Sequence, residues 1–422
     1  MSCTDSRPVL SEDISMVSLA RYMKAGVKSI LFLGLLSVPL VSDELGKILS
    51  STKEQLFDYR YEANQLQSDM LSKSWINPVT VRYGKDYTTR FKTGTVDTGN
   101  FSVYIDQPIF RSGGIYYAIK YAGAQRHVNE TEITLQRRQM IGDAVTVLFQ
   151  LKRNKFEQQK MHFQVKNDII DIKQKRDSYD AGLIDSSFLD QAILKKSQDE
   201  TALLGLKFNE MELKQRFALL SDKKPEELKL PKLHLVRKQE YVAHHLELKR
   251  DKARAEEMDY KQKVTWAKYL PTFSIQGQYN NGDLNPLFPS PNLNESYYNY
   301  GFSISMPIDV NAFADIELSK VEKLQAATEV IDRRNTVSEE YDWIHNSLDI
   351  LDRKIALAHE DEKVYSNLYK VTQNLVKAGE KTALDAEVMY NSLQIRKLDQ
   401  KIYRLDKQIQ LLKLYIRMEN VL

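Results

Sequence analysis

Over the last hundred or so residues, from about Asn311 to Val421, apolar side chains return with seven-residue spacing. Tyr341, Leu348 and Ile355 form one row, and Val337, Ile344, Leu351 and Ala358 form another. Two such rows on one helix make a coiled-coil seam. The rhythm stops at Ala378-Gly379 and resumes as Ile395, Leu398, Ile402, Leu405, Ile409, Leu412 and Ile416, stepping by three and four. The pattern therefore predicts a long helix, one reversal and a shorter helix running back. At 1.5 Å per residue, the arm from Ala312 to Ala378 spans about 100 Å, several times the width of an ordinary domain.

The same plan occurs earlier in the chain. Gly182, in YDAGLI, takes the place of Gly379, and Pro108, in FSVYIDQPIFRSGG, takes the place of Pro307, in GFSISMPIDVNAF. The glycines are about 197 positions apart and the prolines about 199, and a constant offset at both ends of a long segment indicates an internal duplication.

Between the helical stretches the period changes to two. A helical pattern from Asp43 to about Ser74 ends at Pro78, after which Val79, Val81 and Tyr83 alternate with Thr80, Arg82 and Gly84. Lys85 to Asn100 reads as a polar loop. A second strand sets Phe101, Val103 and Ile105 against Ser102, Tyr104 and Asp106, with Pro108 closing it, since proline has no ladder donor and suits a helix start. A helix from Gly113-Gly114 to Ala181, the reversal at Gly182 and a return to about Leu220 complete the first half.

A proline- and lysine-containing segment follows, and then a helix expected from Val236 to Tyr269. The next strand carries Phe273, Ile275, Gly277 and Tyr279 on one face, and a loop is expected from Asn280 to Ser296. The clearest alternation is the last, with Tyr298, Tyr300, Phe302, Ile304 and Met306 against Asn299, Gly301, Ser303 and Ser305. The expected divisions are 1-42 as a signal region, 43-220 as the first repeat, 221-235 as a linker and 236-422 as the second repeat.

Strands of about nine residues, apolar on one side and small or polar on the other, suit an outer-membrane barrel, with Phe101, Val103, Ile105, Tyr300, Phe302 and Ile304 facing lipid. Four strands cannot close a barrel alone, and open edges in lipid leave backbone groups unsatisfied. Several chains must then share one barrel. A small soluble sheet with one buried face is the alternative.

Composition narrows this further. Of 422 residues, 42% are hydrophobic and 28% charged, yet there are only sixteen glycines and eleven prolines, too few for several compact domains with their turns. Sixty basic and fifty-seven acidic residues give a net charge of +3, with signs alternating along helices, so no nucleic-acid partner is indicated. Near the start, MKAGVK precedes an apolar run from Ile30 to Val41, the layout of a secretory signal with cleavage near Ser42. The polar residues before it fit either an extended signal or a true start near Met23. The single cysteine, Cys3, precedes this run, so cleavage removes the only thiol and with it disulfides and thiolate-bound metals.

Taken together, YLPTFSIQGQYNN with YNYGFSISMPI, FSVYIDQPIFRSGG, and the reversals YDAGLIDSSFLDQA and VKAGEKTALDAEVMYNSLQIRKLDQ resemble the TolC family of outer-membrane efflux proteins. The resemblance runs from about Asp43 to Leu422. It implies a mainly α protein with membrane β: a homotrimer whose helical hairpins form an α-barrel through the periplasm, set under a shared 12-stranded transmembrane barrel of four strands per chain. It also implies outer-membrane lipid around the barrel, and a periplasmic adaptor (membrane fusion) protein and an inner-membrane transporter as partners at the tips. In the family an aspartate ring in the second reversal narrows the tunnel and a basic residue holds the tips closed. Asp385 and Lys381 match those positions. The family's aromatic before the glycine is Val376 here, and its first-hairpin aspartate is Phe188, so Asp185 or Asp190 is the alternative acceptor for Lys381.

Adjacent His244-His245, read on one continuous helix, point about 100° apart and do not chelate together. The run His359-Glu360-Asp361-Glu362 reads as a solvated patch, and no phosphate loop, GxSxG or HExxH occurs. No enzyme activity and no cofactor are expected. Two functions remain: a passive exit duct of a tripartite efflux or type I secretion system, or a secreted or periplasmic coiled-coil scaffold that conducts nothing.

Overall fold

The computed structural model of the chain describes residues 47–89, 94–283 and 294–419. The expected signal region, Cys3 and the apolar run lie outside the described residues. In chain order the elements are α1 (Ser51–Ser72), β1 (Thr80–Thr88), β2 (Val96–Phe110), α2 (Gly114–Asp180), α3 (Ser186–Ala218), α4 (Lys238–Ala243), α5 (Leu246–Lys268), β3 (Thr272–Gly282), β4 (Ser296–Ser305), α6 (Ala312–Lys377) and α7 (Ala383–Ile416). The order helix, strand, strand, long helix, shorter helix occurs twice. The long helices have 67 and 66 residues and their return helices 33 and 34, so both hairpins reach the same depth.

Four helical columns stand side by side. α2 and α6 are each a full column. α1 stacks end to end on α3, where Ser50 N–H donates to Leu220 O (2.9 Å) and Ser51 N–H to Asp222 Oδ2 (2.9 Å). α5 stacks on α7 in the same way, with Leu246 N–H donating to Arg417 O (2.9 Å) and Glu419 N–H to His244 O (3.0 Å). The columns follow the order α1/α3, α2, α5/α7, α6, and above them the sheet runs β1-β2-β3-β4 in the same order. Each strand thus sits over the column that it enters or leaves.

The apolar core collects at the level of the two stacks, where Phe149, Phe217, Tyr241, Val337, Leu411, Leu412 and Met418 are fully buried. Each large side chain withdrawn from water there contributes about 1.5–3 kcal/mol. α2 and α7 approach closely at Gly142, where a Cβ would collide with Ile416. Along the hairpins the seam is narrower and carries polar pairs. Arg153 pairs with Asp406 (2.7 Å), Lys160 with Asp399 (2.6 Å), and Asn391 donates to Asn167 (3.0 Å). Pairs of this kind fix the register of a coiled coil. The seam rows of the last hundred residues behave as expected, with Val337, Tyr341, Ile344, Leu348, Ile395, Leu398 and Ile402 buried.

Six expectations are corrected. Asp43 lies outside the described residues, and among those described the first helix begins at Ser51: Ile48 and Leu49 are buried core residues, and Ser50 caps the helix by accepting from Lys53 N–H (3.4 Å). Lys85 to Asn100 is mostly strand, because β1 continues to Thr88 and β2 starts at Val96, joined across the ladder by Lys85–Asp97 (2.7 Å). Pro108 lies inside β2, which continues to Phe110 through a bulge, the irregularity that lets a strand absorb a residue without a donor. Pro307, by contrast, follows β4, and Met306 is also beyond it. β3 and β4 similarly reach Gly282 and Ser296, into the expected loop. The helix expected from Val236 to Tyr269 is two helices, broken at His244-His245, where the backbone turns aside to pair with Arg417–Glu419.

Candidate functional site

The strand register sorts the sheet into two faces. Opposite residues in a ladder share a face. Tyr83 pairs with Phe101 and Val81 with Val103; Val103 pairs with Tyr279 and Ile105 with Gly277; Tyr279 pairs with Tyr298, Gly277 with Tyr300, Ile275 with Phe302 and Phe273 with Ile304. All six residues expected to face lipid therefore lie on one face. Aromatic contacts bind that face together, Tyr279–Tyr298 at 4.9 Å and Phe273–Phe302 at 5.6 Å between ring centroids. It is nonetheless exposed: Tyr300 at 91%, Phe302 at 71%, Ile304 at 69%. The other face carries Arg82, Ser102, Asp106, Ser274, Gln276, Gln278, Asn280, Asn299 and Ser303.

A sheet with its apolar face outward and its polar face inward reverses the arrangement of a water-soluble domain. It suits lipid outside and water inside. Among the described residues, the outer edges of β1 and β4 have no partner strand. The columns beneath those edges also present apolar stripes. On α6, Trp343, Ile350, Leu357, Val364 and Val371 are exposed at seven-residue intervals; on α1, Leu56, Tyr59, Leu66 and Met70 are exposed, and on α3, Leu204, Phe208 and Met211. These second seams, on the outer flanks, were not read from the sequence, although their spacing is visible in it.

At the far end of the hairpins both reversals have one construction. Gly182 and Gly379 take φ of 71° and 79°, the left-handed region where a Cβ is strained. Gly182 N–H donates to Tyr179 O (2.9 Å) and Leu183 N–H to Ser178 O (2.9 Å); Gly379 N–H donates to Val376 O (3.1 Å) and Glu380 N–H to Leu375 O (2.9 Å). These are Schellman closures, which satisfy the last carbonyls of each long helix. Three residues after each glycine stands the cap of the return helix, Asp185 or Thr382.

The candidate gate residues occupy these turns. Asp385 Oδ2 accepts from Thr382 N–H (3.0 Å) and Oγ1 (2.9 Å), and its Oδ1 accepts from Gln174 Nε2 (3.1 Å). The backbone and hydroxyl of Thr382 hold its carboxyl below the usual carboxylate range. Asp185 accepts from Ser187 N–H (2.8 Å), which likewise lowers its pKa. Asp190 and Lys381 are exposed. Within one chain the structure does not bring Lys381 to Asp185 or Asp190, and among the described residues it forms no ion pair.

His244 and His245 do not lie on a continuous helix as expected. His245 caps α5, its Nδ1 accepting from Leu248 N–H (3.4 Å), and packs edge-on against Tyr241. Burial, reinforced by the Arg417 guanidinium, lowers its pKa to about 4, so it is a neutral core residue. Around it a charge network links three columns: Arg250 to Glu132 (3.0 Å), Arg333 to Glu247 (3.0 Å) and Asp251 (2.9 Å), and Arg417 to Glu340.

No protein-family model matches the chain, and no curated protein matches it by sequence. Solved structures do match. The outer membrane protein VceC of Vibrio cholerae is 17% identical at a TM-score of 0.68, over 88% of this chain and 94% of that one. The CmeC outer membrane channel of Campylobacter jejuni is 13% identical at 0.69, over 90% and 86%. The open state of the MtrE outer membrane channel of Neisseria gonorrhoeae is 12% identical at 0.61, over 89% and 88%. At these identities the likeness speaks to architecture, and the fold of this chain is that of these outer membrane channels.

Proposed function

We propose that this chain is one third of a passive exit duct in a Gram-negative outer membrane. Three copies share a barrel of about twelve strands around a water-filled lumen. Their helices continue as a tunnel through the periplasm. The observation that carries this reading is the match between the two flanks. An unpaired strand edge and an exposed apolar stripe coincide on the α1/α3 side, and again on the α6 side. Joining β4 and α6 of one copy to β1 and α1/α3 of the next satisfies both at once. The apolar face of the sheet then meets lipid and its polar face lines the duct.

The duct serves a tripartite efflux or type I secretion system, with a periplasmic adaptor and an inner-membrane transporter at the Gly182 and Gly379 turns. Its halves, 43-220 and 236-422 about the linker 221-235, are copies of one unit. The equal helix lengths and the matching turns support that origin. In the assembled trimer three Asp385 carboxylates ring the periplasmic mouth, and Lys381 reaches an acidic group of the neighbouring turn. The alternative of a scaffold that conducts nothing gives no role to an apolar sheet face turned outward. The test is single-channel recording in planar bilayers. Long-lived, uniform openings blocked by trivalent cations from the periplasmic side are expected, and protein that stays in the soluble fraction and opens nothing would overturn the reading.

A further inference from the structure

A cavity of about 880 Å³ lies where the helical columns meet the sheet, walled by the start of α2, the end of α5, the start of β3 and the end of β4. Four of its lining residues are charged: Asp106, Arg111, Lys268 and Asp315. Lys268 pairs with Asp315 (3.2 Å), and the Tyr269 hydroxyl donates to the same carboxylate (2.6 Å). Asp106 and Arg111 are left over, since among the described residues neither side chain forms an ion pair or a hydrogen bond. Asp106 Oδ1 is moreover buried, and a buried carboxylate oxygen with no donor is costly to keep. Five residues of extended chain separate the two, on the order of 15 Å between Cα atoms, so they do not neutralise each other.

Both groups stand on fixed backbone. Gln107 Nε2 donates to Trp75 O (3.1 Å) and its Oε1 accepts from Asn77 N–H (3.0 Å), pinning the Trp75 segment to β2 beside Asp106. Arg111 precedes Ser112, the one non-glycine residue among those described with a positive φ (48°), whose Oγ donates to Pro271 O (2.8 Å). A strained residue persists where its surroundings over-determine it, and such residues cluster at binding sites. The rest of the lining includes Trp75, Ile115, Val264 and Met306.

We infer that this cavity binds a zwitterionic small molecule, its ammonium group at Asp106, its carboxylate at Arg111 and an aromatic or apolar body against Trp75. A cation alone leaves Arg111 without a partner, and an anion alone leaves Asp106 so; a ligand that carries both charges satisfies both, which is the basis of selection. Arginine suits a carboxylate because its planar fork gives two parallel hydrogen bonds. The volume is that of a small-molecule site. Asp106 and Ser274, both in the lining, belong to the polar face of the sheet, so the cavity opens on the lumen; only this last step rests on the duct reading.

The test uses the full chain in detergent and a tripeptide of phenylalanine, valine and phenylalanine with both ends free. Extended, it carries its terminal charges about 10 Å apart around an aromatic body. Calorimetry is expected to show saturable binding, about tenfold weaker when the peptide is N-acetylated or C-amidated. Asp106→Asn should weaken the free peptide by about tenfold and leave the N-acetylated one unchanged, and Arg111→Gln should do the same with the C-amidated one. Absence of saturable binding, or capped peptides that bind unaltered protein as tightly as the free one, would overturn the inference. So would variants that weaken free and capped peptides equally. Bilayer recording separates this from the duct: conducting protein that ignores the peptide refutes the site and leaves the duct standing, whereas protein that binds the peptide but opens no channel keeps the site and counts against the duct.

Discussion

His245 is buried at 1% exposure with no hydrogen-bond partner at Nε2, facing Tyr241 and near Arg417, Arg333, Glu340 and Asp251. An imidazole at about 4 in the fold and 6.5 unfolded takes up its proton more readily in the unfolded chain. Its contribution to stability is therefore full above pH 6.5 and is lost as the pH falls toward 4, by about 3 kcal/mol. Thermal unfolding of the detergent-solubilised protein should show a midpoint falling over that window, and His245→Gln should flatten the fall. Asp385 has two separable properties, a cap and a charge. Asp385→Asn keeps an acceptor for Thr382 and removes the charge, so it should lose trivalent-cation block with little change in stability. Asp385→Ala should lose the block and a further 1 kcal/mol or so of stability. Block unchanged in both variants would remove Asp385 from the gate.

At the scale of elements, the chain's own spacing accounts for most of what formed. The seam from Val337 to Ala358, the alternation from Tyr298 to Ile304 and the reversals at Gly182 and Gly379 are legible because each depends on neighbours in sequence. The departures have their causes elsewhere in the chain. Nothing in VRKQEYVAHHLELKR breaks a helix locally; the break at His244 exists because residues Arg417–Glu419 supply backbone partners there. Lys85 to Thr88 look like loop until Asp97 stands opposite. The candidate gate positions were readable from the chain, while the hydrogen bonds of Asp385 to Thr382 and Gln174 were not, since one depends on cap geometry and the other on a residue of the first hairpin. The turns also make a prediction. A Cβ at Gly182 or Gly379 meets nothing within 4 Å, so Gly→Val there strains only the backbone, by about 1 kcal/mol. Hydrogen exchange should quicken at the substituted turn and stay unchanged at the core near Phe149. Faster exchange across the whole hairpin would mean that the turn carries more of the fold than its contacts indicate.

As a whole molecule the chain is incomplete in a specific way, with two strand edges, two apolar helix flanks and an exposed apolar sheet face. On the proposed reading, lipid covers the face, and other copies cover the edges and flanks. A carboxylate at mid-depth on the lipid side costs on the order of 2 kcal/mol per copy. Ile304→Asp should therefore reduce the assembled fraction in membranes, whereas Ser303→Asp, on the polar face, should not. Equal losses from both would place the two faces in the same environment. The central claim, that three chains close one barrel, is tested most directly by native mass measurement of protein extracted from outer membranes in mild detergent. The account predicts a single species of three copies that dissociates only on heating. A stable monomer, or an assembly of any other number, would contradict it.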